Sequence, residues 1–246
     1  MTLVLSLFPG IGMLDAAFEA DGFCVVRGPD VLWGGDVRRF HPPPGRFDGV
    51  IGGPPCQAFS RLAHMVRQNG YEPKYGNLIP EFERCVAAAA PSWFLMENVP
   101  EAPVPAVGGY AVWSSCLNNR QLGEKQNRVR RWSFGVSGNV AVPLMIETVV
   151  FENPEFEYAA VGGGDVRPIA IGGSGKPKKF RDGKSRLPWN HKLARGFQML
   201  KVSQGLPDEF DLPPFTVAAK CKAVGNGVPI AMGRALARAV RKATAA

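Results

Sequence analysis

Four short clusters of residues along this chain have the types and spacing to do chemistry. Pro54-Pro55-Cys56-Gln57 follows the run Asp48-Gly49-Val50-Ile51 and a Gly52-Gly53 pair, so a thiol is delivered at a strand end on a loop stiffened by two prolines. A cysteine placed there faces a cleft and is a candidate nucleophile, because the reactive thiolate needs access. Glu97-Asn98 ends a second apolar run, Trp93-Phe94-Leu95-Met96, and supplies an acid for proton transfer beside an amide. Gln126-Asn127-Arg128-Val129-Arg130-Arg131 reads as a strand whose alternation puts Gln126, Arg128 and Arg130 on one face. Two guanidiniums on one face suit a phosphate or a carbonyl-bearing base; a salt-bridged edge strand is the plainer alternative. Phe8-Pro9-Gly10-Ile11-Gly12 lets backbone approach a ligand closely, since glycine has no side chain to block it. It lacks the third glycine of the dinucleotide fingerprint, which disfavours a nicotinamide cofactor.

The elements that must position these clusters follow from hydrophobic periodicity. Leu3 to Phe8 is a buried strand, and Met13, Leu14, Ala17 and Phe18 recur at helical spacing up to Gly22. Phe23 to Val26 is a second strand, the run at Asp48 a third, Pro80 to Ala90 a helix with Phe82, Val86 and Ala89 on one face, and Trp93 to Met96 a further strand. Strands alternating with helices predict an α/β fold with a parallel sheet, whose carboxyl edge is where ligands bind. After Phe134 the chain turns rich in Gly and Pro, with a β-leaning piece from Ile146 to Phe151, and reads as a small irregular lobe over 135–195. Val228 to Val240, with Ile230, Leu236 and Val240 on one face, reads as a helix closing the main domain, which takes in 1–134 and 196–246.

Composition narrows the function classes. The 246 residues carry 29 Lys and Arg against 21 Asp and Glu, a formal net charge of +8, and are 46% hydrophobic, which excludes collagen, coiled coil and wholesale disorder. No apolar run reaches the roughly 18 residues of a membrane span, and Met1 to Leu7 shows no basic leader, so a cytoplasmic protein is expected. The five cysteines are odd in number and hold no Cys-x-x-Cys pair, which argues against a disulfide framework and against structural zinc. From Lys176 to Arg195 eight basic residues face one acid, Asp182, and this stretch is read as a phosphate-contacting surface in preference to a solvated loop.

Taken in order, the clusters resemble the motifs of the cytosine carbon-5 DNA methyltransferases. Phe8-Pro9-Gly10-Ile11-Gly12 looks like that family's cofactor turn, Gly53-Pro54-Pro55-Cys56-Gln57 its nucleophile loop, Glu97-Asn98-Val99 its acidic motif and Gln126-x-Arg128-x-Arg130 its arginine motif. Gln204-Gly205-Leu206-Pro207-Asp208 and Gly225-Asn226-Gly227-Val228-Pro229 are similar to its two C-terminal motifs. The resemblance implies a Rossmann-like class I methyltransferase sheet, S-adenosyl-L-methionine as cofactor, double-stranded DNA as partner, no metal, and a monomer. The lobe at 135–195 stands where the family carries target recognition.

The same resemblance distributes roles. Cys56 is the nucleophile on carbon 6 of a flipped cytosine, Glu97 meets ring nitrogen 3, Arg130 holds the cytosine carbonyl, Arg128 a neighbouring phosphate or the loop, and Asn98 fixes the Glu97 strand end. Phe8, Gly10, Gly12, Met13 and Leu14 fall on the methionine side of the cofactor, Asp36 and Val37 at its adenine, and Pro54, Asn226 and Val228 at the pocket walls. Asp30 is the candidate for the ribose hydroxyls, although the family's acid stands closer to the second strand; Met13 stands where a glycine is common. DNA contacts are expected from Gln57, Ser60, Arg61 and Gln126, and from Lys176, Lys178, Lys179, Arg181, Lys184 and Arg186. The segment from Gln57 to Gly76, which also holds His64, Arg67 and Lys74, matches the mobile loop that closes over DNA. Two other functions stay open at this stage, a cytosine methyltransferase acting on RNA and a catalytically silent DNA-binding module of the same fold.

Overall fold

A computed structural model of the chain describes residues 2–59, 76–124, 126–149, 159–161, 165–167 and 189–245. Strand β1 (Leu3–Leu7) is apolar apart from Ser6 because it is paired on both edges and covered on both faces. It runs parallel to β2 (Cys24–Arg27) on one side and to β3 (Gly49–Gly52) on the other. β3 pairs in parallel with β4 (Trp93–Asn98), and β4 pairs antiparallel with β6 (Val129–Ser137). With β5 (Tyr110–Asn118) at the far edge, the order is β2-β1-β3-β4-β6-β5. The sheet is therefore mixed, where the alternation of strands and helices predicted a parallel one. Only residues 119–128, which open with a 3₁₀ turn (Asn119–Leu122), separate β5 from β6, too little chain for the crossover that a parallel partner needs.

Helix α1 (Met13–Ala20) joins β1 to β2, and α2 (Ile79–Ala89) precedes β4. Pro80 is tolerated because it stands in the first turn of α2, where its missing N–H has no intrahelical partner to lose. Phe82, Val86 and Ala89 are buried, as their spacing predicted. On one side of the sheet Phe18, Phe23, Trp93 and Phe134 form a continuous aromatic cluster, with neighbouring centroids 5.0 to 6.5 Å apart. Phe82, Phe94 and Tyr110 form another. Gly49 lies directly under the Trp93 indole, and a Cβ built there would fall 2.2 Å from the ring. Since Phe18, Phe23 and Phe134 back that ring, it cannot yield. Gly49→Ala is accordingly expected to cost about 1–3 kcal/mol by overpacking, read as a lowered urea midpoint with unchanged slope.

The chain divides into two compact units: residues 1–117, 129–146 and 234–246, and residues 118–128 and 147–233. β6 carries the first unit's sheet past Phe134, and 138–146 stay with that unit. Ile146 to Val149 forms no strand despite its β-leaning composition, since β propensity expresses itself only with a partner to pair against. In the second unit, α3 (Trp189–Gln204) packs on α4 (Val217–Asn226), with Leu200, Cys221 and Val224 buried, and β7 (Ala159–Val161) pairs antiparallel with β8 (Asp165–Arg167). Lys201 and Lys220 place their ammonium groups 5.3 and 5.8 Å from the Phe197 ring centroid. Helix α5 (Ile230–Thr244) buries Met232, Leu236 and Val240. Among the described residues no helix is long and apolar enough to cross a membrane.

Strand order decides where a ligand belongs in the first unit. The chain leaves β1 for β2 on one side and returns to β3 on the other, so the connections diverge between β1 and β3. In open α/β sheets that divergence opens a crevice at the carboxyl ends of the two strands. The segments that follow those ends are the Phe8–Gly12 turn and the Gly53–Cys56 loop.

Candidate active site

Within the first unit the nucleophile loop, the acid and one arginine come together. Gly52-Gly53-Pro54-Pro55 leaves β3 and enters a single 3₁₀ turn (Cys56–Ala58) closed by Phe59 N–H donating to the Cys56 carbonyl at 2.9 Å. Cys56 is half-buried and in no disulfide. Asn98, at the end of β4, is buried and donates its amide to the Pro54 carbonyl at 3.2 Å, while its own oxygen accepts from Val99 N–H at 2.9 Å. Asn98 thus ties the nucleophile loop to the strand that carries Glu97.

Glu97 is positioned from two directions. The antiparallel register sets Glu97 opposite Trp132, so Arg130 is its diagonal neighbour on the same face. Arg130 Nε lies 2.8 Å from Glu97 Oε1, and only 16% and 14% of the two side chains are exposed. The other oxygen, Oε2, sits over Gly53, where a Cβ would come within 3.1 Å of it. The carboxyl is therefore held by a guanidinium on one side and presented over the residue three positions before Cys56. Arg131, on the opposite face, donates twice to the Pro100 carbonyl, at 3.0 and 2.6 Å, and fixes the loop after β4.

The two motif arginines do not share a face, contrary to the strand reading of 126–131. The strand begins at Val129, and Arg128 belongs to the second unit, 3% exposed, where it donates to the Gly225 carbonyl at 2.9 Å and to the Gly227 carbonyl at 3.0 Å. Gln204 donates to the Val224 carbonyl at 2.9 Å. Together they bind backbone carbonyls at the end of α4, around exposed Asn226 and buried Val228. The guanidinium of Arg128 thus lies against the backbone on either side of Asn226. Gln126 is also buried, its amide oxygen 3.5 Å from the Asn119 amide nitrogen.

The glycine turn has a pronounced backbone shape. Phe8, Gly10 and Gly12 all have positive φ, at 56°, 56° and 78°, and Gly12 N–H donates to the Pro9 carbonyl at 2.8 Å before α1 begins. A Cβ at Gly10 would meet nothing within 4 Å, so this backbone borders open space. Asp30 holds the turn: its Oδ2 accepts from Gly10 N–H at 2.9 Å and its Oδ1 from Leu32 N–H at 2.7 Å. Trp33, absent from the sequence expectations, donates its indole N–H to the Gly10 carbonyl at 2.6 Å and leaves the residue 59% exposed. An aromatic three positions after a turn acid is the signal that the sequence offered. Met13 and Leu14 are core residues that seat α1. Val37 is buried, with its carbonyl accepting from Arg84 at 2.8 Å. Asp36 is paired with Arg38, whose hydrogen bonds hold its carboxyl below the usual carboxylate range. Pro54 is buried in the nucleophile loop. Among the described residues, no group of three His, Cys, Asp or Glu is placed to hold a metal ion.

Ser60, Arg61, Lys176, Lys178, Lys179, Arg181, Lys184 and Arg186 lie outside the described residues, as do His64, Arg67 and Lys74. Gln57 stands inside the 3₁₀ turn that begins at Cys56.

The glycine turn and the half-buried cysteine loop thus follow the two strands of one topological switch point, with an acid over the loop. Solved structures agree on the fold: the methyltransferase EhMeth of Entamoeba histolytica superposes with a TM-score of 0.63 at 11% identity over 98% of each chain. A DNA modification methyltransferase encoded in an E. coli prophage gives 0.60 at 17% identity over 99% of each chain. Residues 35–103 match the family described as C-5 cytosine-specific DNA methylase. The type II methyltransferase M.FnuDI of Fusobacterium nucleatum is 26% identical over 88% of this chain and 70% of its own length. M.NgoPII of Neisseria gonorrhoeae is 30% identical over 52% of this chain, a match spanning 38% of that enzyme. The match to M.NgoFVII of the same organism, at 26% identity, spans 59% of it. These similarities support the C-5 cytosine-specific DNA methylase family for this chain.

Proposed function

We propose that this protein transfers a methyl group from S-adenosyl-L-methionine to carbon 5 of a cytosine in duplex DNA, through a covalent bond from Cys56 to carbon 6. The observation that carries this reading is the Glu97–Arg130 pair set over the Gly53–Cys56 loop, on the same strand whose Asn98 holds that loop. Cytosine carbon 5 is a poor nucleophile until the ring is loaded with electrons, and this arrangement supplies both halves of that activation. The Cys56 thiolate adds to carbon 6, forming the S–C6 bond and driving the C5=C6 electron pair toward carbon 5, while Glu97 meets ring nitrogen 3 where charge gathers. Arg130 orients Glu97 and offers its remaining N–H groups to the cytosine carbonyl. Carbon 5 then takes the methyl group as the S–CH3 bond breaks and its electron pair stays on sulfur, leaving S-adenosyl-L-homocysteine; a base removes the carbon 5 proton, and the returning electron pair restores C5=C6 and expels the thiolate. Since Cys56 lies on a loop at the sheet edge, the cytosine must leave the base stack to reach it.

The first unit fits the cofactor. Gly10 faces open space with its backbone held by Asp30, and the exposed Trp33 indole provides a flat apolar surface for a purine. Each Asp30 oxygen accepts one bond from backbone, which leaves acceptor capacity for ribose hydroxyls. When bound, S-adenosyl-L-methionine supplies an electrophilic methyl on a sulfonium. Asp36 serves the adenine amine when Arg38 swings off its carboxylate. Asn226 and Val228 are proposed as further cofactor contacts, positioned in the second unit by Arg128 and Gln204. The segment 147–195 is proposed to read the target, with its basic residues on phosphates.

Trp33→Ala is expected to weaken cofactor binding about tenfold, the loss of one stacking contact, and Asp36→Ala to weaken it less. Isothermal titration with S-adenosyl-L-homocysteine measures both; unchanged affinity in Trp33→Ala contradicts the purine assignment. The proposed function is tested by incubating the protein with tritiated S-adenosyl-L-methionine and either duplex DNA or transfer RNA, then identifying the labelled nucleoside. Label in 5-methyldeoxycytidine is the expected result. Label only in RNA would move the substrate, and label in neither, with cofactor and DNA both bound, would support the silent-module reading.

A further inference from the structure

Beneath the glycine turn lies a buried charge cluster that the reaction does not use. Asp15 stands in the first turn of α1, fully buried. An acid there ordinarily faces the helix N-terminus or solvent. Its Oδ1 instead accepts from the Ser6 hydroxyl at 2.5 Å and its Oδ2 from Arg27 Nε at 3.0 Å. Ser6 is buried in β1, one residue before its end, and Arg27 is the last residue of β2. The rest of the Arg27 guanidinium reaches the turn: a Cβ at Gly12 would lie 2.8 Å from Nη2 and 2.9 Å from Cζ. Arg27 therefore lies flat against the Gly12 backbone, and Asp15 holds it there.

Such a pair adds little net stability, because desolvating the carboxylate offsets much of its attraction for a guanidinium whose side chain is 54% exposed. What the pair does supply is geometry. Three elements, β1, α1 and β2, converge on one carboxyl group, and through Arg27 this group reaches the backbone of the turn at Gly12.

We propose that Asp15 is a positioning residue for the cofactor turn, setting the place of the Gly12 backbone through Arg27, with Ser6 fixing the carboxylate that does so. The proposal rests on the reading that the Phe8–Gly12 turn holds the cofactor. It adds a role for three residues that do not touch the cofactor themselves. Burial pushes the Asp15 carboxyl above the usual carboxylate range, against the lowering effects of Ser6 and Arg27. The charged groups facing it are Arg27 from β2 and Glu19 from its own helix. A proton on Asp15 cancels the charge that holds Arg27, so cofactor affinity falls once acid protonates Asp15, earlier than for an exposed carboxylate.

The test uses the full chain and reads binding directly, by isothermal titration with S-adenosyl-L-homocysteine across pH 5 to 8. Asp15→Asn and Arg27→Gln are each expected to weaken binding about tenfold at neutral pH, and the double variant no more than either single one, because both break one coupled unit. Arg27→Lys should recover little, since an ammonium cannot lie flat on the turn. The wild-type affinity should decline toward pH 5, a decline that Glu19→Gln keeps and Asp15→Asn loses. In steady-state methylation the Asp15→Asn loss should fall on the cofactor KM, with kcat near the wild-type value. Arg27→Gln, at an exposed side chain, keeps the question answerable if Asp15→Asn folds poorly. Unchanged affinity in Arg27→Gln, or the same pH decline in Asp15→Asn, would overturn the positioning role while leaving the methyltransferase reading intact. Failure of the wild type to bind either S-adenosyl-L-methionine or S-adenosyl-L-homocysteine would instead remove the reading on which the role depends.

Discussion

Cys56→Ser is expected to abolish methyl transfer, lowering kcat by about 10⁴-fold or more, while cofactor affinity stays within about twofold of wild type. The asymmetry follows from the site. Cys56 stands on a 3₁₀ turn after β3, whereas the Gly10 and Trp33 surface stands after β1 and β2. A serine hydroxyl fits the same space but is a far weaker nucleophile toward carbon 6 at neutral pH, since it is not ionised there. Single-turnover methylation together with titration of S-adenosyl-L-homocysteine separates the two quantities. A Cys56→Ser variant that still turns over at a tenth of the wild-type rate would exclude covalent catalysis by this residue.

The second large effect is expected at Glu97. Glu97→Gln keeps the size and a hydrogen bond to Arg130 but cannot accept or deliver the proton that ring nitrogen 3 requires, so kcat should fall about 10²- to 10⁴-fold. Because Glu97 and Arg130 are largely buried against each other, Glu97→Ala is the harsher change: it leaves the guanidinium without its carboxylate in a site only 16% exposed. Comparing the two variants separates chemistry from support. Loss of kcat in Glu97→Gln with normal unfolding assigns the chemistry to the carboxyl. Equal unfolding defects in both variants with unchanged kcat would reduce Glu97 to a structural ion pair.

Much of this site was legible in the sequence because its parts are local. A short apolar run followed by Gly-Gly-Pro-Pro-Cys specifies a strand end and a stiff loop whatever the rest of the chain does, and Phe8–Gly12 likewise announces a turn before a helix. Glu97 was legible as an acid at a strand end; that Arg130 would be its partner was not, because the pairing comes from the antiparallel register of β4 on β6. The two arginines of the 126–131 run read as one face only if the strand includes Arg128. It begins one residue later, and Arg128 turns to the carbonyls at the end of α4, nearly 100 residues along the chain. The Ser6–Asp15–Arg27 cluster was invisible for a similar reason. Asp15 looks like an ordinary first-turn acid, and nothing local shows that its carboxyl points inward to two strands. Strand β5 was missed because an edge strand lacks the clean alternation of a half-buried one.

The most direct test of the central claim is to offer the protein duplex DNA whose cytosines carry fluorine at carbon 5, with and without S-adenosyl-L-methionine, and to map any adduct by mass spectrometry. Fluorine cannot leave carbon 5 as a proton does, so once the methyl group has been transferred the C5=C6 bond cannot reform and the thiolate cannot be expelled. A denaturation-resistant complex that requires the cofactor, maps to Cys56 and is absent from Cys56→Ser is the predicted result. No adduct from protein that binds both DNA and cofactor, or an adduct on any other residue, would contradict it.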